Sequence, residues 1–175
     1  MRIGIFTDTY RPQVNGGVSS IRTLEKELRK LGHKVYIITT TDPDAPKVEP
    51  NVLRLPSVEF KPLPQYRLGM VYSSRIIKKI KKLELDIIHS QTEWGVGIFS
   101  RFAAINLEIP LVHTYHTLYE YYTHYIFGSR FVSAGKKIAA AISKFYCEKC
   151  NALIVPTRKV EDILYSYGVD QTMNI

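Results

Sequence analysis

A doubly wound parallel α/β sheet is the fold class predicted for this chain of 175 residues. Three observations predict it: short runs rich in β-branched residues, helical patterns between most of them, and apolarity within each run that is continuous rather than alternating. Continuous apolarity marks strands covered on both faces, as in a parallel sheet flanked by helices. In such a sheet ligands collect outside the carboxyl ends of the strands, so function is expected there.

The elements follow in order. "RIGIF" at 2–6 is the first strand, and Val18, Ile21, Leu24, Leu28 and Leu31 recur at helical spacing through a helix from Val18 to Leu31 that Gly32 stops. "KVYIITT" at 34–40 is the second strand. The proline-dense stretch 41–66 excludes helix and reads as a wandering surface segment around one short strand, "NVLRLP" at 51–56. It is not a domain linker, because strand and helix signals resume on both sides. A helix from Tyr72 to Leu83 leads to the strand "LDIIHS" at 85–90, and a helix from Val96 to Asn106 to the strand "IPLVHTYH" at 109–116. Lys136 to Glu148, "NALIVPT" at 151–157 and Lys159 to Tyr167 continue the alternation, and a further strand is expected after Gly168.

A chain of this length, 45% apolar and free of repeats, can build one sizeable core, so one domain is the expectation. No apolar run approaches the ~18 residues of a spanning helix, and Asp8 falls too early for a signal-peptide core. A cytoplasmic protein is therefore expected, in agreement with only two cysteines, Cys147 and Cys150. The net charge of +8 implies an anionic partner: nucleic acid, an acidic membrane surface or a phosphorylated ligand.

The double glycine in "PQVNGGVSS", residues 12–20, lies between the first strand and the first helix. One glycine suits a turn, since glycine reaches positive φ; a second suggests close backbone approach to a ligand. Helix N–H groups and their partial positive charge converge on the same place, so Gly16 and Gly17 read as an anion site, most naturally for phosphate. The competing reading is a flexible turn with a tolerable helix start. The stretch is not the G-x-G-x-x-G fingerprint, although Asp42 could imitate its ribose-binding acid, and no P-loop is present.

His113, His116 and His89, the last close to Glu93, end their strands at the carboxyl edge. His116 is placed to meet a ligand there, and His113 reads as a core histidine. No metal is expected, because the His-x-x-His lies in an extended segment without further ligands. Cys147 and Cys150 fall late in a helix, where a thiolate gains nothing, and read as small buried residues. The helix around "SSRIIKKIKKLEL" sets Ile76, Ile77, Ile80 and Leu83 on one face and Arg75, Lys78, Lys79, Lys81 and Lys82 on the rest. It reads either as an ordinary surface helix or as a segment drawn to anionic lipid. No nucleic-acid partner is expected, since no aromatic platform or reader motif accompanies the charge.

Three stretches, "IFTDTYRPQVNGGVSSIRTLEKELRKLGHKVYIIT", "DIIHSQTEWGVGIFSRFAAINLEIPLVHTYHTLYEYYTHYI" and "CNALIVPTRKVEDIL", together resemble the N-terminal, Rossmann-like domain of a GT-B fold retaining glycosyltransferase of family GT4. The likeness is strongest to bacterial enzymes that glucosylate diacylglycerol. It implies that residues 1–175 are the acceptor-side domain and that the C-terminal, donor-binding domain is absent from this chain. It further implies a hexose, glucose, moved from a nucleotide-sugar, UDP-glucose, to a lipid such as diacylglycerol, by a peripheral enzyme on the inner face of the cell membrane. Gly16 and Gly17 match the loop that meets the donor diphosphate. His116 matches the strand-end histidine beside the reacting sugar, and Arg75, Lys78, Lys79, Lys81 and Lys82 become candidates for acceptor or membrane contact. A soluble member acting on a sugar or small metabolite, or a non-enzymatic phosphate- or nucleotide-binding module, are the alternatives.

Overall fold

The apolar runs do pair as parallel strands. The computed structural model describes residues 1–61, 66–116 and 132–175, and the chain divides into two units, Met1–Val112 and His113–Ile175.

In the first unit, β1 (Arg2–Phe6) lies between β2 (Lys34–Thr40) and β6 (Ile87–Ser90), and β3 (Val52–Leu55) lies outside β2, all parallel. Ile3 stands opposite Val35 and Ile87, and Ile5 opposite Ile37 and His89. The chain thus steps outward from β1 through β2 to β3 and returns on the other side of β1 with β6. That reversal is the switch point at which α/β sheets open a ligand crevice. Ile3, Ile5, Tyr10, Ile21, Val35 and Ile37 form a core under helix α1 (Gly16–Lys30). At the far end of α1 Gly32 takes φ 81°, as a helix stop requires, but Leu31 is exposed and ends the apolar stripe early.

The stretch 41–66 departs from expectation. A second short strand, β4 (Ser57–Glu59), follows β3 and pairs antiparallel with β5 (Arg67–Gly69), Val58 opposite Leu68. Strands of three residues next to Pro56 carry too little pattern to be read before their partner is known. Helix α2 (Ser74–Lys81) is shorter than expected, with the Ser73 hydroxyl accepting from Ile76 N as its cap.

Helix α3 (Gly95–Leu107) follows β6, and its first residue, Gly95, sits on β5. A Cβ at Gly95 would land on the Gly69 carbonyl, and one at Gly97 would land on the Thr92 carbonyl. Trp94 gives no side-chain cap. The carboxylate of Asp8, just beyond β1, does so instead, accepting from Val96 N at 2.9 Å and more loosely from Gly97 N at 3.4 Å. The Thr92 hydroxyl donates to Asp8 Oδ2 at 2.6 Å and accepts from Asp8 N at 2.9 Å.

The unit boundary falls within β7 (Leu111–Thr114). The second unit holds α4 (Val132–Glu148), β8 (Ala152–Ile154), α5 (Arg158–Ser166) and β9 (Met173–Asn174). β9 is the strand expected after Gly168, and it pairs parallel with β8, Leu153 opposite Met173. Tyr115 N donates to Ile154 O at 2.9 Å, extending the ladder past β7. Tyr115, Cys147, Leu153, Val160 and Leu164 belong to this unit's core. Cys147 is buried there as expected, while Cys150 is half-buried, and both are free thiols.

Burial pushes the Asp8 carboxyl up from 3.8 to about 6, against the lowering effect of the Thr92, Val96 and Gly97 hydrogen bonds. The folded chain therefore holds this proton more tightly than the unfolded chain does. Stability contributed by Asp8 is greatest below 3.8, falls as pH rises to about 6 and is level above that. At about 1.4 kcal/mol per pH unit the full effect is about 3 kcal/mol. Denaturant unfolding of wild type and Asp8→Asn should show the wild type's advantage larger at pH 4 than at pH 7 by about 2 kcal/mol, part of the full effect having been lost by pH 4; a difference that does not change with pH contradicts this role. Gly95→Ala, measured the same way, should lose at least about 2 kcal/mol, because the clash is with backbone rather than with a side chain that can turn away.

Candidate active site

Two helices in the first unit begin at the carboxyl end of the parallel strands, and their N-termini differ. That of α3 already holds an anion, the Asp8 carboxylate. That of α1 holds none: its first turn contains no acidic residue. The Asn15 side chain accepts from Val18 N at 2.9 Å, and Ser19 N donates to Asn15 O at 3.0 Å. Among the described residues nothing accepts from Gly16 N or Gly17 N. These donors, with the positive end of the helix dipole behind them, remain for a ligand.

The glycines are not there for a turn. Neither has a positive φ, which corrects that part of the expectation; both lie inside the helix, which starts two residues earlier than its apolar spacing suggested. A Cβ at Gly16 would meet nothing within 4 Å, and one at Gly17 only the Asn15 Oδ1, at 3.3 Å. Internal packing therefore does not exclude a Cβ at Gly16. What the pair provides is a bare backbone facing open space.

The loop before the helix is held at both ends. Tyr10 is buried, and its hydroxyl donates to Glu25 Oε2 on α1 at 2.7 Å. Its burial, with Glu25 close by, pushes that phenol up to about 12. Thr7 is buried, its hydroxyl donating to Thr9 O at 2.8 Å, and the Thr40 hydroxyl donates to Asp8 O at 3.0 Å. At the end of β6, Gln91 N donates to Phe6 O at 2.8 Å, and His89, Gln91 and Glu93 are buried.

His116 belongs to the second unit. It is exposed, two residues past β7, and the next described residue is 132. His113 is buried with its ring 6.1 Å from that of Tyr146, as a core histidine should be. Neighbouring Tyr115 is buried, its hydroxyl 2.7 Å from Ser143 Oγ, so the segment alternates and directs His116 outward.

Arg75, Lys78, Lys79 and Lys81 are exposed on α2, and Lys82 is exposed at its C-cap, whereas Ile76 and Ile80 are buried. The apolar stripe of this helix packs on the protein, so the helix cannot lay that stripe into lipid; only its cationic face is available. Exposed Met70, Val71 and Tyr72 immediately precede it, with the Tyr72 ring edge-on to Phe102 at 5.6 Å. Among the described residues no helix is long and apolar enough to cross a membrane.

Sequence reading missed Asp8 as a helix cap and Arg54 as a loop tie. A lone acid just past a buried strand was the available signal for Asp8; for Arg54, whose partners are mostly backbone carbonyls, there was none.

The model of Glycosyltransferase Family 4 matches residues 14–173. Alpha-monoglucosyldiacylglycerol synthase of Streptococcus pneumoniae is 42% identical over an alignment of 174 residues that covers 97% of this chain and 38% of that protein. The enzyme of the same description from Acholeplasma laidlawii is 40% identical over 169 residues, 93% of this chain and 42% of that one. The chain thus spans about two-fifths of each synthase. The structure of Anabaena HepE in complex with UDP-glucose matches with a TM-score of 0.59 at 13% identity, over 96% of this chain and 41% of the other.

Proposed function

The chain belongs to glycosyltransferase family 4, and from that premise we propose that it is the acceptor-side domain of a retaining enzyme that moves glucose from UDP-glucose to diacylglycerol. The observation that carries the reading is the α1 N-terminus, glycine-faced, free of acids and open, at the carboxyl edge of the sheet. The likeness to two glucosyldiacylglycerol synthases supports glucose and a lipid acceptor. A UDP-glucose complex of a protein sharing the fold agrees with the donor.

In this reading Gly16 N and Gly17 N donate to the donor diphosphate. As the glycosidic bond breaks, negative charge grows on the leaving phosphate, and fixed N–H groups stabilise it without having to reorganise. That phosphate takes the acceptor's proton, and the sugar is attacked on the face it leaves from. His116 hydrogen-bonds the sugar hydroxyls and supports the charge developing on the ring. The other contacts to the nucleotide-sugar come from a C-terminal domain beyond residue 175.

The setting is the cytoplasmic face of the cell membrane, with the enzyme bound peripherally. The cations of α2 supply attraction to anionic lipid at about 1 kcal/mol per residue held near the surface. Met70, Val71 and Tyr72 supply the apolar contact that the buried stripe of α2 cannot.

Two measurements test these assignments. The intact protein should transfer glucose to diacylglycerol in mixed vesicles and not to soluble sugars. Gly17→Val keeps the N–H but sets a branched side chain in front of it, and should cut turnover by about 100-fold, the usual cost of displacing a reacting group by about 1 Å. Gly16→Ala should reduce turnover yet leave stability unchanged or raised by up to about 1 kcal/mol, since alanine is the better helix former; turnover that survives both changes removes the glycines from the site. In vesicle flotation, binding should require anionic lipid, weaken with salt, and fall when Lys78, Lys79, Lys81 and Lys82 are changed to Gln. Equal binding to neutral vesicles contradicts the role of α2.

A further inference from the structure

Between buried Tyr10 and buried Val18 the glycine loop has no apolar anchor of its own. Arg11 and Pro12 are exposed, and Val14 is 92% exposed. Its position must come from polar ties, and the strongest cluster reaches it from β3. Arg54 Nη2 donates to Arg11 O at 2.7 Å and Arg54 Nη1 to Thr40 O at 3.0 Å. One guanidinium thus joins the loop to the carboxyl end of β2. Arg54 Nε and Nη2 both donate to Glu49 Oε2, at 2.8 and 2.6 Å, with the Arg54 and Glu49 side chains only 14% and 10% exposed. Glu49 also lies 3.9 Å from the Arg11 guanidinium. A planar fork held this way, largely out of water, keeps a fixed direction, which a solvated lysine does not.

We propose that Arg54, oriented by Glu49, is a positioning residue of the transfer reaction: it sets where Gly16 N and Gly17 N stand by holding Arg11 O against the end of β2. It touches no substrate, and the inference rests on the reading of the glycines as the diphosphate site. The loop is gripped through a main-chain carbonyl, so the role depends on the geometry of Arg54 and not on the loop's own side chains. A misplacement of about 1 Å in groups that meet a transition state costs on the order of 100-fold in rate, so a loop tie can matter to catalysis without contributing much to folding.

The experiment uses the intact protein with Arg54→Ala, Arg54→Lys, Glu49→Gln and Gly17→Val, reading amide hydrogen exchange and glucose transfer from UDP-glucose to diacylglycerol. Arg54→Ala should speed exchange in residues 11–17 about tenfold or more while β1 and β2 keep their protection. The kcat/KM for UDP-glucose should fall about tenfold or more, with the diacylglycerol KM within about twofold of wild type. Arg54→Lys, which can reach one carbonyl but not both, should fall between, and Glu49→Gln should shift both readouts in the same direction by less. If Arg54→Ala does not fold, the Lys and Gln variants carry the test. Unchanged exchange in 11–17, or protection lost equally across β1 and β2, overturns the proposal. So does faster loop exchange with full transfer when Gly17→Val alone abolishes transfer; the diphosphate reading then stands without Arg54. If transfer is indifferent to Gly17→Val as well, the reading of the glycines fails and the proposal fails with it.

Discussion

The first unit is organised around one buried carboxylate. Asp8 leaves β1 and accepts from the first N–H groups of α3, which follows β6 on the other side of the switch point. This places an ionisable group where desolvation raises its pKa, a cost met by three donors arranged around it. The same contact has α3 begin against β5, where glycine at 69 and 95 permits an approach that a Cβ would obstruct, while Gly97 leaves room for the Thr92 carbonyl. Strand end, helix start and the β4–β5 hairpin are therefore one packed unit.

Filling one helix N-terminus with a side chain makes the other informative. A helix end at a sheet's carboxyl edge can be capped from within or kept for an anion. Here α3 is capped from within, and α1 is capped only as far as Asn15 reaches, at Val18 N. Glycine at 16 and 17 costs helix stability and relieves no strain, since neither residue has positive φ. At Gly16 alanine would fit, so packing within the chain does not account for a weak helix former there, whereas a Cβ at Gly17 would press on the Asn15 cap at 3.3 Å.

The extent to which this was legible follows from the range of the interactions. Continuous apolar runs such as "KVYIITT" announce buried strands because burial on both faces is a local property of the residues, and the parallel sheet and its helices could be read that way. The glycines stood out as one more than a turn needs, and the turn part of that reading fails because neither takes a positive φ. The β4–β5 hairpin did not show, because three-residue strands are defined by the partner they meet. Asp8 did not show because the donors to its carboxylate lie 84 to 89 residues away, and Arg54 because the two carbonyls it ties lie 14 and 43 residues away and backbone carries no sequence signal. Helix α2 showed its composition but not its orientation. An amphipathic pattern says that one face is buried, and only the fold says that protein rather than lipid buries it.

Charge and shape divide the labour differently at α2 and at the α1 N-terminus. Exposed lysines such as those of α2 attract anions at a distance without fixed geometry, and salt weakens that attraction. The α1 N-terminus acts at hydrogen-bond range, where half an elementary charge in water is a weak attractor and becomes a strong one only when the site excludes water and the donors stand still. Exclusion of water needs a second surface over the glycines. Stillness needs the loop to be tied from within this unit, and the Arg54–Glu49 pair is built for that: two carbonyls from separate segments meet one rigid cation whose remaining direction a buried carboxylate fixes. Attraction of an anionic surface by exposed cations therefore needs nothing outside this chain, whereas an anion at the α1 N-terminus is held strongly only when a second surface closes over it.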